Sequence, residues 1–253
     1  KKKLVLSRER AKSIILAGKV RIDDQIADKP GRICDIKCKI QIIEDIHPYV
    51  SRGGVKLEYA LNKFNILLTD RVAMDIGAST GGFTDCLLQR GIKKIFAVDV
   101  GYGQLDWKLQ SDSRVITLDR KNARNLDKTD IGELVDLAVI DVSFISLKFI
   151  IPSVINILKS DGDLIALVKP QFEVGREEVE NKGIIKNPKK HLSVLFGLNS
   201  FMKEKSWQIN DITPSPITGQ KGNREFLIHC LTKENSRIIE NDDIYNMINI
   251  ELP

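Results

Sequence analysis

At 253 residues, with 42% apolar and 29% charged side chains, the chain has room for one medium α/β domain plus a small appendage, and its composition excludes a disordered or fibrous protein. The uncharged run over residues 149–158 is far too short to span a bilayer, no secretory signal follows the opening lysines, and four sparse cysteines suggest no disulfide framework, so a cytoplasmic, reduced protein is expected. The net charge of +5 is unevenly placed: residues 1–50 hold twelve Lys and Arg against seven Asp and Glu, and the totals of 39 and 34 leave 27 against 27 for the rest. Such asymmetry points to a module that meets polyanions, most simply nucleic acid, joined to a neutral domain, although a solvated basic face with no partner fits the same count.

Near the start, Ser7 suits an N-cap and Glu9 the first turn, while Ala11, Ile14, Ile15 and Leu16 supply an apolar helix face that ends at Gly18. A hairpin follows, with Val20-Arg21-Ile22, a turn at Asp23-Asp24 and Gln25-Ile26-Ala27 ahead of Lys29-Pro30-Gly31. Residues 38–43 give another short strand. A basic helix, a hairpin and KPG resemble the small S4-type RNA-binding domain, over residues 1–45. That resemblance implies RNA contacts from Arg8, Arg10, Lys12, Lys19 and Arg21, with Arg52 just beyond the module. The helix that usually opens the module is missing or shortened, so the chain is expected to begin inside it.

His47-Pro48-Tyr49 reads as a joint, because Pro48 biases its neighbour to extended backbone and the apolar period changes after it. The expected division is residues 1–47, a linker over 48–54 and a larger domain over 55–253. Leu57, Ala60, Leu61 and Phe64 fall at i, i+3, i+4 and i+7, a helical stripe with Lys56 beside it. Strands are predicted from Val72 and over 94–99, 114–119, 134–141, 163–168, 207–213 and 225–231. Helices are predicted around Phe83, Leu87 and Leu88 and over 104–110, 146–158 and 188–202; residues 235–253 stay unassigned. Alternation of this kind demands a largely parallel sheet covered on both faces, with ligands at the carboxyl ends of its strands.

The stretch 72–84, VAMDIGASTGGFT, is a strand carrying Asp75 that breaks into a turn with Gly77, Ala78, Ser79, Thr80, Gly81 and Gly82 before a helix. Glycines let backbone approach a ligand, and the helix start attracts an anionic group. Three residues separate Gly77 from Gly81, unlike the G-x-G-x-x-G of dinucleotide sites, which favours S-adenosylmethionine. Asp99 ends the second strand of this domain, where an acid accepts hydrogen bonds from ribose hydroxyls; Asp119 ends the third and is the candidate for the adenine end. Asp141 and Lys169 end two further strands, and Glu225 begins an antiparallel one, so all three charges belong to the same sheet edge.

DIGASTGGFT, AVDVGYGQLDWKL, VIDVSFISL, LVKPQFEVG and GNREFLI, with SRGGVKLEYAL ahead of them, resemble the FtsJ-like ribose methyltransferases, and most closely their TlyA, or hemolysin A, subfamily. The resemblance covers nearly the whole chain. It implies a Rossmann-like S-adenosylmethionine methyltransferase fold, with a largely parallel seven-stranded sheet whose last strand is antiparallel, and 2′-O-methylation of ribosomal RNA. By motif, a Lys-Asp-Lys-Glu tetrad falls on Lys56, Asp141, Lys169 and Glu225, with Asp141 also bordering the cofactor. Lys169 is read as the base or the hydroxyl-orienting group, and burial with a second cation nearby is what lowers a lysine pKa.

Competing chemistries leave other traces. Asp141-Val142-Ser143-Phe144 lacks the prolines of amino-group methyltransferases, and neither Cys86 nor Cys230 stands where a nucleophilic cysteine is needed. Cys34 and Cys38 lack a second ligand pair, so no metal is expected. His191 and His229 read as structural, and Tyr102 and Trp107 as cofactor wall or core. Arg176, Lys182, Lys186, Lys189 and Lys190 form a basic segment that touches RNA or is simply solvated. A non-catalytic RNA-binding or ribosome-assembly protein, or a membrane-active hemolysin, are the rival functions.

Overall fold

The computed structural model describes residues 4–5, 11–12, 14–15, 19–27, 29–42, 47–175, 183–219, 221–232, 234–235 and 239–250. The chain divides into two units, Lys1–Pro48 and Tyr49–Pro253.

In the first unit, β1 (Val20–Ile22) pairs antiparallel with β2 (Gln25–Ile26) on one side and β3 (Ile40–Ile42) on the other. Asp23 and Asp24 both take positive φ, 48° and 66°, the two-residue turn whose twist matches a hairpin and which aspartate tolerates. Ile14, Val20 and Ala27 are buried together as a small core. The third strand is shorter than expected from the sequence, and residues 43–46 lie outside the described residues.

The second unit is organised by a seven-stranded sheet. Its strands are β4 (Val72–Ile76), β5 (Lys94–Val98), β6 (Val115–Leu118), β7 (Val135–Ile140), β8 (Leu158–Val168), β9 (Trp207–Pro214) and β10 (Phe226–Thr232). They lie in the order β6-β5-β4-β7-β8-β10-β9, with β10 antiparallel to both neighbours. Successive residues point to opposite faces, and both faces are covered. Ala73, Leu137, Val139, Ile165, Leu167 and Leu227 pack with α1 (Gly53–Lys63) and α2 (Gly82–Gln89). Met74, Ile76, Ala138, Ile140, Leu164 and Ala166 face the other way, towards later helices. The short α3 (Trp107–Gln110) buries Leu109 on the first face, with α1 and α2, and the helices that follow are in chain order α4 (Lys128–Ile131), α5 (Ile151–Ile155), α6 (Pro170–Glu173), α7 (Pro188–Glu204) and α8 (Asn241–Ile250).

Three features depart from the sequence expectation. Tyr49 is buried in the larger unit's core and Gly53-Gly54 open α1, so the expected linker is mostly built into that unit. The helix expected over 146–158 is a 3-10 turn at Leu147–Phe149 followed by α5, because a proline is accommodated only in a first turn and Pro152 starts the helix afresh. Its apolar tail belongs to β8, where Leu158 pairs with Val135.

Candidate active site

Strand register gathers the candidates. Ile76 pairs with Val98 and Ile140, Val98 with Leu118, and Ile140 with Ala166. The residues that leave these strands, Gly77, Asp99, Asp119, Asp141 and Lys169, therefore share the carboxyl edge. Antiparallel β10 begins where β8 ends, with Phe226 opposite Val168, so Glu225 arrives beside Lys169.

The glycine turn is shaped by contact as well as by dihedral. Gly77 has φ +83° and a Cβ there would stand 2.6 Å from the Asp141 carbonyl oxygen; Gly81, φ +94°, caps α2 where a methyl would collide with Leu105 and Leu109. Gly82 has a different reason, since its Cβ would stand 3.0 Å from the Gly54 nitrogen at the α1–α2 contact. Inside the turn, the Ala78 N–H donates to the Val98 carbonyl at 3.1 Å and Asp106 N–H to the Thr80 carbonyl at 3.2 Å. Asp99 is bound into the turn: one oxygen accepts from Ser79 N–H at 2.8 Å and the other from Gly101 N–H at 2.7 Å. Asp119 accepts from Gly103 N–H at 2.9 Å, which leaves its second oxygen for another donor.

Asp75 is fully buried under the turn. One oxygen accepts both the N–H and the hydroxyl of Thr84, at 2.9 and 2.6 Å. Burial, aided by the charges of Asp141 and Asp99 and opposed by the Thr84 bonds, raises its pKa to about 7.

Two lysine–carboxylate pairs stand beside the turn. Lys56 Nζ lies 2.5 Å from Glu225 Oε2, with both residues almost completely buried. Lys169 Nζ lies 2.6 Å from Asp141 Oδ1 and donates to Ser143 Oγ at 2.9 Å. The Asp141 contact has the distance of an ion pair without hydrogen-bond geometry, since Asp141 Oδ1 accepts no hydrogen bond from a described residue. Gly219 makes room for Glu225, as a Cβ there would stand 2.5 Å from Glu225 Oε1. Arg52 donates to the Thr218 carbonyl in the same loop, an engagement distinct from the RNA contact expected of it. Ser143 and Thr84 were within quoted motifs but carried no expected role; a hydroxyl has no spacing signature.

Other expectations fall elsewhere. Trp107 and Tyr102 are 76% and 71% exposed, which rules out the core, and Tyr102 lies 4.4 Å beneath the Arg120 guanidinium. His191 bonds the Ile185 carbonyl and His229 bonds Asp163, both as buried structural groups. Lys12, Arg21, Lys186 and Lys189 are exposed and Lys19 half-buried, whereas Arg8, Arg10, Arg176 and Lys182 lie outside the described residues. Cys34 is exposed and Cys38 buried, and the described residues contain no group of three potential metal ligands.

Of the buried carboxylate oxygens beside the Gly77 turn, Asp141 Oδ1 faces the Lys169 ammonium at 2.6 Å, whereas Asp75 Oδ1 accepts no hydrogen bond from any described residue. A cationic ligand satisfies such an atom, and S-adenosylmethionine carries an ammonium and a sulfonium. Glycine turn, strand-end acids and an unsatisfied buried carboxylate oxygen on one edge of a doubly wound sheet define an S-adenosylmethionine-dependent methyltransferase.

Comparison with known proteins narrows the class. The FtsJ-like methyltransferase family model matches residues 49–231 and the S4 domain model residues 1–37, so the chain belongs to the FtsJ-like methyltransferase family with an S4 domain at its N-terminal side. It is similar to the candidate rRNA methyltransferase YqxC of Bacillus subtilis, 47% identical over 227 residues that cover 89% of this chain and 81% of that protein. It is 41% identical over 231 residues to the 16S/23S rRNA (cytidine-2′-O)-methyltransferase TlyA of Mycobacterium tuberculosis, covering 91% and 86% of the two chains. Among solved structures it resembles one named for a hemolysin, from Streptococcus thermophilus, with a TM-score of 0.81, 41% identity and coverage of 98% and 90%.

Proposed function

We propose that this protein transfers the methyl group of S-adenosylmethionine to a ribose 2′-hydroxyl of ribosomal RNA, the target being a cytidine as in the name of its TlyA relative. The observation that carries this reading is the placement of two lysine–carboxylate pairs, Lys56–Glu225 and Lys169–Asp141, beside a cofactor turn. Residues 77–82, with Asp75, Asp99, Asp119 and Asp141, hold the cofactor, which supplies a methyl group on a positively charged sulfur.

Displacement at that methyl must be in line, so most of the work is orientation. Lys169, steadied by Asp141 and Ser143, keeps N–H donors for the ribose oxygen and aims its lone pair. The hydroxyl sheds its proton as the carbon–oxygen bond forms, and the Asp141 carboxylate beside Lys169 accepts it. Lys56 and Glu225 form a neutral buried pair that holds β10 against α1 and shapes the wall next to Lys169. The S4 module, with Lys12, Lys19 and Arg21 among its basic residues, brings the RNA. Such a substrate places the reaction in the cytoplasm.

The hemolysin label favours a second reading, action on membranes, but no described helix is long and apolar enough to cross one. Labelled-methyl transfer into ribosomal subunits tests the enzyme against a non-catalytic binder. The Lys169→Ala protein should fold, retain RNA binding and lose methyl transfer; normal transfer by this variant would contradict the assigned role.

A further inference from the structure

β7 and β8 are parallel neighbours, so the segments that leave them run side by side, and both carry chemistry. Three contacts join these segments in sequence order. Lys169 meets Asp141 and Ser143 first. The rings of Phe144 and Phe172 come next, 5.0 Å apart and inclined by 48°. Last, Glu173 at the end of α6 reaches back across the gap: Oε1 accepts the Leu147 N–H at 2.8 Å and Oε2 accepts the Ser146 hydroxyl at 2.6 Å.

No step of the reaction uses Glu173, yet the position is a demanding one for a carboxylate. Burial raises its pKa, while the bonds from Leu147 and Ser146 and the charge of Lys148 pull the other way. What the carboxylate holds is equally specific. Leu147 is buried in the core and opens the 3-10 turn, so its N–H has no carbonyl of that turn to bond. Between this anchor and Ser143 the chain passes through Phe144 at φ +65°, a left-handed backbone that a non-glycine residue keeps only when its surroundings enforce it. A segment under that strain needs fixing at both ends, and Lys169 alone fixes only one.

We propose that Glu173 is a positioning residue for methyl transfer. By holding Ser146 and Leu147 it fixes residues 141–143, and through them the Lys169 ammonium, against the hydroxyl to be methylated. The inference rests on the function proposed above.

Glu173→Ala removes both bonds. Glu173→Gln keeps both, its carbonyl accepting from Leu147 and its amide donating to the Ser146 oxygen. The expected result is a fall in kcat of roughly 10- to 100-fold for Glu173→Ala, the scale of an ångström-sized misplacement, with a smaller change in KM for S-adenosylmethionine, because Asp141 is only one of several residues that hold it. Glu173→Gln should restore most of that rate. In a Ser143→Ala background, which already loosens Lys169, Glu173→Ala should add little, because both changes act through one lysine. Should Glu173→Ala fail to fold, Ser146→Ala removes one of the two bonds and predicts a smaller fall in kcat of the same kind. Unchanged kcat in the folded variant, equal loss in Ala and Gln variants, or fully additive loss with Ser143→Ala overturns the positioning role alone. If the unaltered protein methylates no ribose, the function and this role fall together.

Discussion

Lys56 and Glu225 are separated by 169 residues in sequence and by a single hydrogen bond in space. Neither group is supported by bulk water, so removing one strands the other as a buried charge. Lys56→Ala should therefore cost about 3–5 kcal/mol, read as a lowered urea midpoint. Replacing the two together, Lys56→Met with Glu225→Leu, should recover most of that stability while methyl transfer falls, because the wall next to Lys169 loses both side chains. A stable and active double variant would show that the pair is only a strut. Asp75 makes a second prediction at this scale. Its carboxyl titrates at about 7, and the charged form is the one that attracts an ammonium. Affinity for S-adenosylmethionine should therefore rise with pH through about 7, with protons released on binding, and the dependence should vanish in Asp75→Asn. For the ligand-free protein the sign reverses: a carboxyl raised in the folded state contributes stability that is present below the unfolded pKa and lost as pH rises through about 7. Calorimetry in buffers of different ionisation enthalpy checks the first statement, and melting curves across the same pH range check the second. Much of the candidate site was legible at this scale because strand-end charges sit in recognisable blocks. Ser143, Thr84 and Glu173 were not, since their roles depend on which loop lies opposite, and one chain's spacing does not reveal that.

At the scale of elements, the turn between β4 and α2 combines two demands. Gly77 and Gly81 require left-handed backbone, and Gly81 additionally lies against Leu105 and Leu109. Gly81→Ala should cost more than about 1 kcal/mol and weaken cofactor binding, as measured by denaturation and by titration with S-adenosylmethionine. A variant as stable as the parent would mean that the turn has slack that its packing denies. The strands were readable because both faces of this sheet are buried and their apolar runs are nearly continuous, as in residues 135–140 and 164–168. The same continuity misled at the end of 146–158, where Ile157 and Leu158 suit a helix face or a buried strand equally, and pairing with Val135 of β7 decided the outcome. Helix α8 escaped notice for the opposite reason: Ile244 and Ile248 are buried by the fold, but charged and polar neighbours dilute their period.

Over the whole molecule, charge and chemistry are divided along the chain. The first unit carries the net positive excess, and the second carries the glycine turn and the two lysine–carboxylate pairs. Replacing Lys12, Lys19 and Arg21 with alanine should weaken RNA binding more at low salt than at high salt. Each lost phosphate contact should reduce the slope of log affinity against log salt by roughly 0.7–0.9, with cofactor affinity unchanged. An unaltered slope would remove the first unit from the RNA interface. The central claim is that methyl groups pass from this edge of the sheet to ribose oxygens of ribosomal RNA. Mass-spectrometric mapping of 2′-O-methyl nucleotides in ribosomal RNA, with the protein, without it and with its Lys169→Ala form, tests that claim most directly. The expected result is a methylated cytidine present only with the unaltered protein; identical maps in all three samples would contradict it.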